Sequence, residues 1–136
     1  MKAPPAAAGT ASPVAAPVRV EARTAEGLTA AASVHILDGE PVFAGHYPGF
    51  PIFPGVCIVE CVRRAAADAA PDVAPGPLTA VESARFATSV HAGDTLALTL
   101  DWRRTGAGWR CDATAATARG RAARVKLRFA ARGGAR

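Results

Sequence analysis

A histidine and a glutamate fourteen positions apart are the residues of this sequence best suited to chemistry. His46 lies in a segment rich in proline and glycine, and Glu60 lies in the apolar stretch that follows. An imidazole, with an unperturbed pKa of about 6.5, can remove a proton near neutral pH. A carboxyl group among apolar neighbours is expected to have its pKa raised by desolvation, which would let it hold a proton for donation. The pair therefore indicates acid–base catalysis, with His46 as the base and Glu60 as the acid.

The elements around this pair can be predicted from proline, glycine and the apolar pattern. Residues 45–55 cannot form a regular element, because three prolines remove backbone donors and three glycines permit tight bends. A helix is predicted from about Pro54, which suits a first turn, to a stop near Pro71. Its first half is apolar on almost every side, which predicts a helix wrapped by other structure. A backbone N–H at its start, at Gly55, could stabilise negative charge that develops on a substrate oxygen.

Strands are predicted on both sides of the helix. Alternating apolar and polar residues predict a hairpin between Val18 and Leu37 with its turn at Glu26-Gly27. Four further strands are predicted after the helix, at residues 78–87, 95–103, 109–117 and 121–131. This order indicates an α+β domain in which a sheet curls around a single helix.

Length and composition indicate one domain with a terminal arm. A chain of 136 residues that is 50% hydrophobic can build one core. Residues 1–17 are mostly alanine and proline, so we expect a disordered arm, followed by a domain over residues 18–132. The arm lacks the apolar run of a signal peptide, and no stretch approaches the roughly 20 apolar residues of a membrane span. The expectation is a soluble, cytoplasmic protein whose three cysteines are buried thiols and bind no metal.

The residues from Phe43 to Glu60, FAGHYPGFPIFPGVCIVE, resemble a family signature. They are similar to the 3-hydroxyacyl-[acyl-carrier-protein] dehydratases of bacterial fatty-acid synthesis, in which a Gly-His-aromatic-Pro turn leads through Pro-Gly-Val into a helix bearing a carboxylate. The histidine, the prolines, the helix start and the glutamate are all retained, and weaker similarity covers the chain beyond the arm. The resemblance implies a hotdog fold, an antiparallel sheet wrapped around one central helix.

The same resemblance implies a reaction and an assembly. The expected reaction removes water from a 3-hydroxyacyl thioester on acyl carrier protein and gives a trans-2-enoyl thioester. His46 of one protomer would face Glu60 of the other in a homodimer, or in a heterodimer with another hotdog subunit. No cofactor is required, because the thioester itself is the electron sink. The candidates for lining an acyl tunnel at the dimer interface are Phe50, Phe53, Val56 and Val59.

Two departures from the family bear on substrate choice. Arg64, preceded by Arg63, stands where the family usually has glutamine, and the family's His-Arg-Tyr-Pro segment before the first strand has no clear equivalent. These differences favour a specialised polyketide or polyene pathway over primary fatty-acid synthesis. The excess of arginine agrees with docking of an acidic carrier protein, for which Arg63 and Arg64 are weak candidates.

Other interpretations remain open at this point. Glu60 and Arg64 are four residues apart, the spacing of an ordinary helical ion pair. A hotdog thioesterase, an enoyl-CoA hydratase and a noncatalytic subunit of a hotdog heterodimer are alternatives to the dehydratase. Nucleic-acid binding would rest on the late arginines alone, without a recognisable motif, and is not expected.

Overall fold

The computed structural model describes residues 12–45 and 52–132. Two helices and eight strands follow one another along these residues. In chain order they are β1 (Arg19–Arg23), β2 (Thr29–His35), α1 (Pro41–Gly45), β3 (Ile52–Phe53), α2 (Gly55–Asp68), β4 (Leu78–Phe86), β5 (Val90–His91), β6 (Thr95–Thr105), β7 (Gly108–Thr117) and β8 (Gly120–Ala130).

Six of the strands form one antiparallel sheet in the order β1-β2-β6-β7-β8-β4. β1 and β4 are its edges. The short strands β3 and β5 pair separately, with Ile52 opposite His91 and Phe53 opposite Val90. This small pairing attaches the chain just before α2 to the loop that follows β4.

The apolar face of the sheet and the inner face of α2 form the core. Along β6, Leu96, Leu98 and Leu100 are buried while the residues between them are exposed, as expected for a strand with one face on the core. The helix contacts β1, β6, β7 and β8. Its buried residues are Cys57, Ile58, Cys61, Val62, Ala65 and Ala66.

Most elements expected from the sequence are confirmed. The hairpin is β1 and β2, with Gly27 at φ 78° in its turn, where glycine carries no steric penalty. The four later strands are β4, β6, β7 and β8, and the helix is α2. The short elements α1, β3 and β5 were not predicted. The first half of α2 was expected to be wrapped by other structure, and Cys57 and Ile58 are buried, but the wrapping is incomplete because Val56 is 72% exposed.

Residues 12–17 pack against the domain, although the composition assigned them to a disordered arm. Val14 and Ala16 are buried in the core cluster. Ala15 N and Ala16 N donate to the two carboxylate oxygens of Glu40, each at 2.8 Å. Arg64 Nη1 donates to the carbonyl oxygens of Val14 at 3.1 Å and Ala16 at 2.9 Å. We call these four bonds the arm clamp; together with the burial of Val14 and Ala16, it attaches the arm to the domain.

Candidate functional site

The N-terminus of α2 forms one side of the candidate site. Pro54 precedes the helix in an extended conformation, and its carbonyl accepts from Cys57 N at 3.0 Å and Ile58 N at 3.2 Å. Among the described residues, no hydrogen-bond acceptor faces the N–H groups of Gly55 and Val56. These first-turn groups carry the positive end of the helix dipole and can bind an oxygen that gains negative charge.

An apolar cleft of about 490 Å³ opens at this helix end. Its walls include Phe53, Gly55, Ile58 and Phe86, together with residues 87–90. A Cβ added at Gly55 would lie 2.8 Å from Phe86 Cζ, so the ring lies directly over the glycine. Only a residue without a side chain leaves room for both the ring and a ligand at this point.

The predicted lining residues do not share one location. Phe53 lines the cleft, is 2% exposed, and packs on Phe43 with ring centroids 6.1 Å apart. Val56 and Val59 are not part of its wall: Val56 lies on the outward side of α2, and the half-buried Val59 packs against the core. Phe50 lies outside the described residues. Sequence reasoning missed Ile58 and Phe86 as lining residues, although Phe86 falls in a segment that weakly resembles the family.

His46, the proposed base, also lies outside the described residues. Glu60, the proposed acid, lies on α2 with 15% of its side chain exposed. Arg63 Nε donates to Glu60 Oε1 and Arg63 Nη2 to Glu60 Oε2, both at 2.8 Å. Glu60 is not part of the wall of the apolar cleft.

The electrostatics of Glu60 differ from the sequence expectation. The Arg63 hydrogen bonds lower the pKa of the Glu60 carboxyl, and they outweigh desolvation, which raises it. A raised pKa was expected from the apolar neighbours in the sequence, and that expectation is wrong because it left out the bidentate partner one turn along the helix. The ion pair considered between Glu60 and Arg64 is also wrong, since the partner is Arg63 at i+3.

Arg64 has a structural task instead, in the arm clamp. It occupies the position where glutamine is usual in the resembling family, and a planar guanidinium can reach two carbonyl oxygens at once. Both candidate docking arginines are therefore engaged within the chain, Arg63 with Glu60 and Arg64 with the arm.

The three cysteines are buried free thiols, as expected. Burial raises the pKa of Cys61 and of Cys111 to about 12, and desolvation likewise raises the pKa of Cys57. Such thiols are poor nucleophiles at neutral pH. In residues 12–45 and 52–132, no group of three or more His, Cys, Asp or Glu side chains could hold a metal ion, and no helix is long and apolar enough to cross a membrane.

Curated relatives of this chain are 3-hydroxyacyl-[acyl-carrier-protein] dehydratases. It is 38% identical over 100 residues to the 3-hydroxyacyl-[acyl-carrier-protein] dehydratase FabZ of Polynucleobacter necessarius, covering 70% of this chain and 66% of that one. It is 43% identical over 70 residues to FabZ of Sodalis glossinidius, covering 46% of each. The matched stretch thus spans about half the length of most such relatives.

Solved structures identify the fold as the hotdog. A chain of the dehydratase heterocomplex ApeI:P from Xenorhabdus doucetiae superposes with a TM-score of 0.66 at 21% identity, covering 79% of this chain and 92% of that one. The PaaI protein of E. coli superposes with a TM-score of 0.59 at 18% identity, covering 81% of each. The family model for ApeI-like proteins, described as ApeI dehydratase, matches residues 22–121. The chain belongs to the ApeI-like dehydratase family.

Proposed function

We propose that this protein dehydrates a 3-hydroxyacyl thioester carried on acyl carrier protein to the trans-2-enoyl thioester. The observation that carries the proposal is the start of α2. It carries an apolar cleft with backbone donors at Gly55 and Val56 and, about 7.5 Å further along the helix axis and outside the cleft wall, the Glu60 carboxyl that a dimer would bring to the second site. Membership of the dehydratase family supports this combination as a site for elimination of water.

In the proposed mechanism each residue has one task. His46 removes a proton from the carbon next to the thioester carbonyl, and the Gly55 N–H stabilises the negative charge that develops on the carbonyl oxygen. Glu60 delivers a proton to the 3-hydroxyl, which leaves as water. The thioester carbonyl accepts electron density during the elimination, so this scheme assigns no task to a metal or organic cofactor.

The proposed site is shared between two protomers. The cleft lies at the start of α2, and Glu60 of the same chain is not part of its wall. This arrangement agrees with a Glu60 carboxylate that serves the histidine of a second chain. The edge strand β4 supports such a dimer, because it is paired on one side only and exposes Val81 and Phe86. The exposed Val56 on α2 is a further apolar contact for a second copy or another hotdog subunit.

The acidic carrier protein would dock on a basic surface of the outer sheet face, at the end of β4 that leads to the cleft. Arg85 and Arg124 lie opposite each other on β4 and β8, and with Lys126 they line a shallow depression next in sequence to Phe86. The acidic Glu82 in this depression is paired with Arg128 at 2.9 Å. Positive charge therefore predominates there, and salt should raise the KM for the carrier thioester.

The reaction can be tested by mass spectrometry of 3-hydroxyacyl carrier protein incubated with the enzyme. Loss of one water is expected with the wild type and is not expected with His46→Ala or Glu60→Gln, while Glu21→Gln, on the exposed strand β1, serves as a matched surface control. Release of free carrier protein would instead identify a thioesterase. No change with several acyl lengths would identify a noncatalytic subunit.

The sharing of the site can be tested by mixing inactive variants. If His46 of one protomer works with Glu60 of the other, equal amounts of His46→Ala and Glu60→Gln should recover about a quarter of wild-type activity after subunit exchange, since half of the dimers carry one intact site of two. Absence of recovery, with exchange verified independently, would contradict a shared site.

One observation favours the noncatalytic alternative, and it provides its own test. The bidentate pair with Arg63 holds Glu60 ionised, whereas a general acid needs a proton. If Glu60 is catalytic, Arg63→Gln should raise its pKa. Because this pKa lies below the ordinary pKa of a histidine base, the low-pH limb of the kcat/KM profile follows Glu60 even though the reactive form carries its proton, and this acid limb should move to higher pH. An unchanged acid limb in an active variant would exclude Glu60 as the group that controls it. Arg121→Gln, on the exposed part of β8, should leave the profile unchanged.

We further propose that the pathway is a specialised one that makes a polyketide or polyene. Arg64 and the clamped arm support this, because they replace the family's glutamine and front segment. Comparing kcat/KM for saturated and conjugated 3-hydroxyacyl carriers tests it, and a preference for saturated chains would favour primary fatty-acid synthesis.

A further inference from the structure

A second cleft, of about 650 Å³, lies at the other end of α2. It is formed by the turn between β1 and β2, the chain that follows the helix, and the hairpin of β6 and β7. Since α2 has 14 residues, its two ends are about 21 Å apart. This cleft is therefore separate from the site at Gly55, and its volume is in the range of small-molecule sites.

Aromatic rings form the inner wall of this cleft. Trp102 and Trp109 both line it, each is only 4% exposed, and they meet edge to face with centroids 6.1 Å apart at 85°. Phe129 backs Trp102 at 5.1 Å. Leu28 and Val73 add apolar surface at the opening. A ligand with a flat or extended apolar body would cover Leu28, Val73 and the small exposed edges of the rings, and would remove them from water.

The wall contains a buried donor that lacks an acceptor. Trp102 Nε1 is inaccessible to solvent, and no described residue accepts its hydrogen. A buried N–H without a partner is unfavourable, and such groups in a cleft wall commonly bond to a ligand or an ordered water. The missing partner must be an acceptor, because an indole nitrogen can only donate.

Charges at the opening favour an anionic acceptor. Arg103 and Arg104 line the cleft, and the Arg104 guanidinium lies 4.8 Å from the centre of the Trp109 ring. Two carboxylates, Glu26 and Asp72, are also present, but Asp72 is paired with Arg23 at 3.0 Å. The opening therefore carries two guanidinium groups and one carboxylate, Glu26, that has no ion-pair partner among the described residues. Positive charge is in excess there.

We propose that this cleft binds a small amphipathic carboxylate, such as an aromatic or medium-chain acid. Its apolar body packs on the exposed edges of Trp102 and Trp109, and its carboxylate pairs with Arg104. Trp102 Nε1 is closed to solvent in the free protein, so binding must also move the side chains that cover it before the carboxylate can accept its hydrogen. The site is independent of the dehydration reaction and of the residues proposed for it.

Tryptophan fluorescence tests the proposal directly, because both tryptophans of the chain line this cleft. The full-length protein is titrated with 3-phenylpropionate and, in parallel, with the neutral 3-phenylpropionamide. We expect a saturable change with the acid and at least about tenfold weaker binding of the amide, which lacks the charge. A linear change without saturation, or equal binding of both compounds, would overturn the proposal.

Variants locate the binding. Arg104→Gln and Trp102→Phe should each weaken acid binding by about tenfold, the second because phenylalanine keeps the apolar wall and removes the donor. Arg121→Gln, an exposed arginine elsewhere on the sheet, is the matched control and should bind as the wild type does. Saturable binding unchanged in both cleft variants would place the ligand elsewhere and refute the site, leaving a water as the partner of Trp102 Nε1.

Discussion

Replacing Glu40 with glutamine should unlock the arm clamp. Glu40 is 3% exposed and accepts two backbone N–H bonds of 2.8 Å, one on each carboxylate oxygen. Glutamine keeps one oxygen but sets an NH₂ group against the second N–H, so one bond is lost and two donors face each other. Since a hydrogen bond to a charged group contributes about 1.5–3 kcal/mol, we expect a loss of about 2–3 kcal/mol in the free energy of unfolding.

The assay is denaturant unfolding of Glu40→Gln beside Glu82→Gln, a matched change in an exposed ion pair. The control should cost under about 1 kcal/mol, because surface salt bridges contribute little. For a domain of this size, the loss in Glu40→Gln corresponds to a decrease in Tm of roughly 8–12 °C.

A truncated chain that begins at residue 18 separates the clamp from any other effect of the substitution. Without Ala15 and Ala16 the Glu40 carboxylate has lost its donors, so glutamine should cost much less there than in the full chain. An equal cost in both backgrounds, or a cost under about 0.5 kcal/mol in the full chain, would refute the clamp as the reason Glu40 is buried.

Three further predictions concern the helix and the thiols. The pKa of Glu60 is lowered in the folded chain, so its ion pair stabilises the fold at pH values above the unfolded pKa of about 4.5, and this stabilisation is lost as the pH falls through the folded pKa. Lowering the pH should therefore reduce the difference in free energy of unfolding between wild type and Glu60→Gln. A difference independent of pH would contradict this. Gly55→Ala should lower kcat/KM roughly tenfold to a hundredfold by displacing the Phe86 ring into the cleft, and Phe86→Ala in the same chain should restore part of the loss. If the second change restores nothing, the ring is not the obstacle. Cys57, Cys61 and Cys111 should react with an aromatic disulfide reagent only after denaturation, because burial raises all three thiol pKa values; rapid labelling of the native protein would show that a thiol is accessible.

The large elements could be predicted because their patterns are local. Alternation with a period of two marks β6 through residues such as Leu96 and Leu98, and proline at each end marks α2. The pairing of Ile52–Phe53 with Val90–His91 could not be predicted, since two residues make too short a pattern and the partners are far apart in the chain.

The polar contacts of the site were the least predictable part. Arg63 and Arg64 both fall within reach of Glu60 along a helix, and the structure pairs Arg63 with Glu60 while Arg64 bonds to the arm. The burial of Glu40 has no sequence signal, because it depends on backbone donors supplied by residues 15 and 16. Composition described the arm correctly as poor in bulky apolar residues but could not include these bonds.

The arm clamp also determines which substitutions this part of the chain can tolerate over evolutionary time. Glu40 and Arg64 hold only main-chain atoms of the arm, so the clamp itself places no demand on the identity of the arm side chains. Proline at position 15 or 16 is the exception, since it would remove a required N–H. Outside the buried positions 14 and 16, sequence drift in the arm is therefore expected to be extensive, with proline absent from positions 15 and 16, while Glu40 and Arg64 change together.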